Sequence, residues 1–516
     1  MEYETTSFLC DFLKKQFTKE KVRKGNIKME TLKFRIVYGK FSGLEKKAIE
    51  TVSGAVSTHV DYTLTAVAAD KITKEELALC NPIFIGTKDS NRFLAEMSKN
   101  GFYKDSEQNE GYSLKVTKSI YNPDAQMIVI SGFDENGLLY GAMDFVAYYL
   151  PFAKKPYGQE RFFRKLFNGE KMEEYERINS PSIKHRGLWS WGHVIYDYHK
   201  YVENMAQLKM NTLIIWNDFV PVNIRDVIND AHEYGIKIYL GFSWGWNEAR
   251  PVNEFKKGKM SLTDDVLDAF RKNIVDTYIN DYSDLEIDGI YFQSFTETKN
   301  SELSGEIIAE RVVKLVNSTA DVLFKHKPDI ELMFGLHATS VKDKLEYIKE
   351  TDKRIMIVWE DCGAFPFAYT PNDLEGFEET CNFTRKVAML RGENENFGVV
   401  TKGLICLDWQ TFKHQEAPFV MGKGTDEFIE ECTHEKRKLW RSISSYWLKN
   451  ASYAYDMVKL MYDANANTTV TALVEDGMFE AEISFPVALY GEMLWDCCKD
   501  LDCLVTEVAM REDVSI

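Results

Sequence analysis

The chain lacks an apolar run of the ~18 residues a bilayer-spanning helix needs, so no membrane partner is expected. It lacks a Lys- or Arg-rich block. Its 63 basic residues are outnumbered by 80 acidic ones, and a net charge of −17 opposes nucleic acid or an anionic membrane surface as a partner. GxGxxG and GxxxxGK[ST] are both missing, which removes the signatures of dinucleotide and P-loop chemistry. There is no HExxH, and Cys497, Cys498 and Cys503 have no second ligand pair at zinc-site spacing. A metal on His193, Asp218 and His337 would lack recognised ligand spacing too, so no cofactor is expected. The N-terminal MEYETTSFLCDFLKKQFTKEKVRKG has neither an apolar h-region nor a cleavage-site pattern. The 9 cysteines are odd in number and scattered, some inside apolar runs such as Cys406 in GLICLDW. Both features read as free thiols in a cytoplasmic protein, with the sequons at Asn317, Asn382, Asn450 and Asn467 as chance matches.

What is present is a hydrophobic content of 45%, enough for a sizeable core, and 10 Trp with 26 Tyr, many of them clustered. Between 186 and 410 one pattern recurs: a short apolar run ending in an aromatic–polar cluster, then a helix-like stretch. The runs are RGLWSWGHV (186–194), NTLIIWND (211–218), IKIYLGFSWGWNE (236–248), DGIYFQSFTET (288–298), ELMFGLHATS (331–340), RIMIVWEDCG (354–363) and KGLICLDWQ (402–410). Apolar runs alternating with helices are the pattern of buried parallel strands in βα units. A (β/α)8 barrel brings the C-terminal ends of such strands onto one face, where active sites lie. The chain is long enough for a barrel of roughly 250 residues plus smaller domains.

The expected organisation is an N-terminal α/β domain over 1–155, a (β/α)8 TIM barrel over 156–424, and a C-terminal helical region over 425–516. In the first domain, TLKFRIVYG, NPIFIGT, EGYSLKV and QMIVISG read as strands of a mixed sheet with helices on one face. Residues 151–183 read as the connection into the barrel. The eighth barrel strand is the weakest signal, and APFVMGKG (417–424) is its candidate.

The strand ends supply the candidate site. Glu297 closes the fourth run beside Tyr291 and Phe295, and such a setting raises a carboxyl's pKa by desolvation, as a general acid at neutral pH requires. Glu360 and Asp361 close the sixth run, and adjacent residues on an extended strand face opposite ways, so one of the two meets the pocket. Paired carboxylates flank the bond in glycoside hydrolysis. Trp189, Trp191, Trp216, Trp244, Trp246, Trp359 and Trp409 offer flat faces to sugar rings. His193, Asn217, Asp218, Asn247, Gln293, His337, Asp408 and His414 offer hydroxyl partners, and Arg250 offers a carboxylate partner. The expected ligand is a carbohydrate. Oligomeric state stays open, a homo-oligomer included.

Two stretches carry a family resemblance. GYSLKV followed by MIVISGFDENGLLYGAMDFVAYYL resembles the small α/β domain that precedes the barrel in β-N-acetylhexosaminidases and α-glucuronidases, and SIKHRGLWSW resembles their first barrel strand. The resemblance spans about 31–420 and implies a two-domain glycoside hydrolase. It departs at Thr296-Glu297, where those hexosaminidases carry Asp-Glu: the acid is kept, but the Asp that orients the substrate acetamido group is absent. Glu297 with Glu360 or Asp361 is similar to the α-glucuronidase plan, in which Arg250, Lys299 or Lys413 would hold a uronate.

Overall fold

The computed structural model describes residues 32–150, 172–245, 261–296, 300–336, 340–360, 377–393, 395–404, 415, 417–465, 467–511 and 513–515.

The first domain is a six-stranded sheet. Phe34–Tyr38, Thr65–Ala68, Asn81–Thr87 and Gln126–Gly132 pair in parallel, while Tyr112–Lys118 runs antiparallel between Gln126–Gly132 and the edge strand Tyr175–Asn179. Helices cover both faces, not one. Alternation sends Ile36, Ile83, Ile85, Ile128 and Ile130 toward Gly43–Ser57 and Glu135–Asp144. It sends Val37, Phe84, Met127 and Val129 toward Phe93, Leu94 and Met97 of Arg92–Lys99. A central strand buried on both sides must be apolar at every position, as the fully buried Gln126–Gly132 nearly is. The edge strand lies within the stretch read as a connection, so this sheet reaches past residue 155.

The barrel is closed by eight parallel strands in chain order: His185–Trp191, Thr212–Trp216, Lys237–Ser243, Gly289–Gln293, Glu331–Leu336, Ile355–Trp359, Phe397–Leu404 and Thr468–Val474. The last pairs with both the seventh and the first, Thr469 opposite His185 and Ala472 opposite Leu188. The eighth strand is therefore Thr468–Val474 and not 417–424. Pro418 has no amide hydrogen to give a ladder. Its segment instead lies along the loop after the second strand, with Val222 N donating to Phe419 O at 2.8 Å. The correction moves the barrel's end. Asp426–Lys449 and Ala451–Ala464 lie between strands seven and eight, and Phe485–Trp495 follows strand eight, so the region from 425 onward completes the barrel.

Charges buried between the two domains hold them in register. Arg186, 1% exposed, pairs with Glu110 at 2.7 Å and lies over the rings of Tyr140 and Trp495. That is the physical role of the Arg in the Arg-Gly-aromatic strand entry. Lys209 Nζ sits 2.9 Å from Asp144 Oδ1 and 2.8 Å from Glu492 Oε1, with Arg511 3.2 Å from the same Glu492 oxygen. Asp144 ends a helix of the first domain, Lys209 precedes the second barrel strand and Glu492 lies on the helix after the eighth.

Candidate active site

The barrel wall separates two apolar populations. Its inner face carries Trp189, Trp191, Ile214, Tyr239, Tyr291, Met333, Met356, Val358, Val400 and Leu473, with Trp216 packed against them. Barrel interiors ordinarily hold Val, Ile and Leu; here aromatic rings fill one side. Trp189 meets Trp191 edge-on at 4.6 Å, and Tyr291 is edge-on to both Trp189 at 5.9 Å and Trp216 at 6.2 Å. Such volume needs a gap opposite. Gly241 on the third strand provides one, since a Cβ there would lie 2.8 Å from Trp216 Cε3.

Alternation along the sixth strand decides which acid faces inward. Met356 and Val358 belong to the inner cluster, so Glu360 continues the same face, while Trp359 points outward. Glu360 is 4% exposed. Tyr291 donates its hydroxyl to Glu360 Oε1, and Gln293 Nε2 donates to Oε2 at 2.6 Å. Both donors come from the fourth strand, two residues apart and therefore on one face. The fifth strand runs between the fourth and sixth, and its inward residue at this level is Gly335, opposite Gln293 on one side and Val358 on the other. A Cβ at 335 would come within 2.7 Å of Tyr291 Cζ and closer still to the Tyr291 hydroxyl and Glu360 Oε1. The glycine is what lets side chains two strands apart meet. Burial raises the Tyr291 hydroxyl well above its usual range, and the neighbouring Glu360 carboxylate adds to the rise. Tyr291 thus stays protonated, a donor to an anion.

The remaining candidates divide. Trp189, Trp191, Gln293 and Glu360 come together at the inner mouth. His193, half-buried, follows the first strand; Asn217 is buried and Asp218 exposed after the second. Trp244 and Trp359 are corrections to the substrate-binding set. Both belong to the outer core: Trp244 is fully buried and stacked on Phe292 at 3.6 Å, and Trp359 packs on Phe383 at 4.9 Å. A Trp one residue out of phase with the inward positions faces the helices instead of the ligand. Glu297, Asp361, Trp246, Asn247, Arg250, Lys299, His337, Asp408, Trp409, Lys413 and His414 lie outside the described residues. The backbone entering Glu297 is held on both sides, with Ser294 Oγ donating to Trp244 O at 2.9 Å and Ser340 Oγ donating to Thr296 O at 2.6 Å.

One acid was missed because its strand was missed. Glu475 follows Val474, its N–H donates to Leu404 O at 2.9 Å, and it shares the inward face of Leu473. Lys436 lies 3.6 Å from Glu475 Oε1 and is ion-paired to Asp476. The signal was present: TTVTALVED is a β-branched run ending in two acids, the same form as IMIVWED. Behind it, Glu480 accepts the Tyr196 N–H at 2.8 Å, and Tyr196 donates its hydroxyl to Asp476 at 2.7 Å. Burial pushes the Glu480 carboxyl up to about 8 against those backbone donors. The loops after the first and eighth strands are thereby tied into one rim. Among the described residues no three His, Cys, Asp or Glu side chains form a metal-like cluster, and Cys80, Cys381, Cys432, Cys497, Cys498 and Cys503 are unpaired thiols. No helix among them is long and apolar enough to cross a membrane.

No family model and no curated protein sequence matches the chain. Solved structures do. A GH138 enzyme targeting pectin rhamnogalacturonan II superposes with a TM-score of 0.50 at 11% identity, over 91% of this chain and 64% of that one. A GH20 exo-β-N-acetylglucosaminidase from Vibrio harveyi superposes with a TM-score of 0.50 at 11% identity, over 95% of this chain and 74% of that one. At that identity the likeness is one of fold: a small α/β domain preceding a (β/α)8 barrel, an architecture this chain shares with glycoside hydrolases. The chain spans about two thirds of the length of the GH138 enzyme.

Proposed function

We propose that the protein is a glycoside hydrolase working at the C-terminal mouth of its barrel on a small oligosaccharide or glycoside, with uronides and N-acetylhexosaminides among the candidate substrates. The observation that carries the reading is Glu360: a buried, hydrogen-bonded carboxylate on the inner face of the sixth strand, beside rings of the first, second and fourth. Fold likeness to GH20 and GH138 enzymes supports it as analogy. In this reading Glu297 protonates the leaving oxygen, and Glu360 activates water or attacks the anomeric carbon, Asp361 being its sequence alternative. Trp189, Trp191 and Trp216 provide the platform on which a sugar's C–H face rests.

The test is a panel of aryl glycosides, uronides and N-acetylhexosaminides included, followed by single substitutions. Glu297→Gln is expected to lower kcat by about 10²–10⁴-fold on poor leaving groups. The loss is smaller on activated aryl glycosides, which need little protonation. Glu360→Gln is expected to impair both classes alike. Equal loss on both classes in Glu297→Gln would remove the acid assignment. Full turnover in Glu360→Gln would remove Glu360 from the mechanism.

A further inference from the structure

We propose that Tyr291 is a positioning residue for Glu360: it fixes the plane of the carboxylate and holds it ionised, with Gln293 completing the grip. The inference rests on the reading of Glu360 as a reacting carboxylate and adds the group through which that carboxylate is controlled.

The geometry is specific. Glu360 lies just beyond the sixth strand and both of its donors lie on the fourth, with Gly335 of the intervening strand clearing the path between them. One donor engages Oε1 and the other Oε2, so rotation about the terminal side-chain bond would break both at once. Tyr291 itself is fully buried and wedged edge-on against Trp189 and Trp216, so its hydroxyl has little freedom to follow a displaced carboxylate. A neutral donor bonded to a carboxylate stabilises the charged form, because the bond is stronger to the anion than to the acid. The reciprocal effect is visible on the tyrosine, whose hydroxyl is kept protonated by burial and by the Glu360 charge. A base or nucleophile gains from this arrangement in two ways: it remains ionised in acid, and its oxygens are already aimed before substrate arrives.

Tyr291→Phe removes one oxygen and keeps the ring, and infrared titration of the full-length protein reads the result directly. The Glu360 carboxyl band is identified by its absence in Glu360→Gln. In Tyr291→Phe the band of the protonated acid is expected to appear at a pH higher by roughly one to two units than in the wild type. On a substrate from the panel, the acidic limb of kcat/KM is expected to move up by the same amount, with kcat falling more than KM changes. A tyrosine with only a packing role would lower the melting temperature and leave both the band and the limb in place. That result overturns the proposal while the hydrolase reading stands. Full turnover by Glu360→Gln overturns the proposal and removes Glu360 from the mechanism, while the turnover itself keeps the hydrolase reading. If no glycoside on the panel is turned over, the infrared arm decides the positioning role alone. If Tyr291→Phe does not fold, Gln293→Met, which removes the Oε2 donor from a half-buried site, is held to the same two readouts with a smaller shift in the same direction.

Discussion

Adding one methyl group at Gly335 is the sharpest perturbation the barrel offers. In Gly335→Ala the new Cβ would lie 2.7 Å from Tyr291 Cζ and nearer still to Glu360 Oε1, distances no packed carbon keeps. Gly335 pairs with strands on both sides, Gln293 on one and Val358 on the other, so its backbone has little room to withdraw. The Tyr291 ring is held by Trp189 and Trp216. The carboxylate is the part that moves. Overpacking costs about 1–3 kcal/mol, and a hydrogen bond to a charged group is worth about 1.5–3 kcal/mol when lost. The expected destabilisation is therefore about 2.5–6 kcal/mol, toward the lower end if Glu360 reaches water. Urea denaturation of Gly335→Ala, Glu360→Ala and the double variant measures it. Removing the carboxylate clears the nearest contact the methyl meets and leaves those with Tyr291, so the cycle should show the two changes coupled by about 1–3 kcal/mol, the double variant being more stable than additivity predicts. Additivity within about 0.5 kcal/mol would refute the claim that Gly335 exists to let Tyr291 and Glu360 meet.

Two further outcomes follow from burial and charge. Lys209→Met leaves the Asp144 and Glu492 carboxylates buried without their shared cation and is expected to cost about 3–5 kcal/mol at pH 7 by chemical denaturation, a penalty that shrinks on acidification as Glu492 protonates. Burial acts to raise Glu492, but Lys209 and Arg511 outweigh it and hold its carboxyl at about 2, below its ordinary 4.5. The sign follows: this stability is present above pH 4.5 and is lost as pH falls through about 2, so wild-type unfolding midpoints should drop across that window and those of Lys209→Met should drop less. Trp244→Ala is expected to destabilise by about 3–5 kcal/mol while leaving KM on any turned-over glycoside unchanged, because its ring stacks on Phe292 in the outer core; a raised KM at unchanged stability would restore it to the pocket.

Much of this protein was written locally. Continuous apolar runs such as IMIVW and TLIIW read as strands buried on both faces, and their alternation with helical stretches reads as parallel βα units whose strand ends share one side. The helix over Glu135–Asp144 is also set locally, with Asp134 capping it by accepting from Gly137 N at 2.8 Å. Glu360 was legible as a strand-end acid, and so was the Trp189–Trp191 pair, because residues two apart on a strand share a face.

Tertiary structure decided what local pattern leaves degenerate. A strand has two faces, and sequence alone does not say which is inside; closure of the barrel sent Trp189, Trp191 and Glu360 inward and Trp244 and Trp359 out to the helices. The eighth strand carries the same form as the sixth, a β-branched run ending in two acids, but that form does not say which of two candidate segments closes the barrel. Only pairing with the seventh and first strands identifies Thr468–Val474, and with it Glu475. The grip on Glu360 is the extreme case. Tyr291, Gly335 and Glu360 are ordinary residues in three separate runs, and nothing in any one run points to the others. Their relation exists because closing the barrel sets the fifth strand between the fourth and the sixth, and because only a residue without a side chain lets its neighbours reach across it.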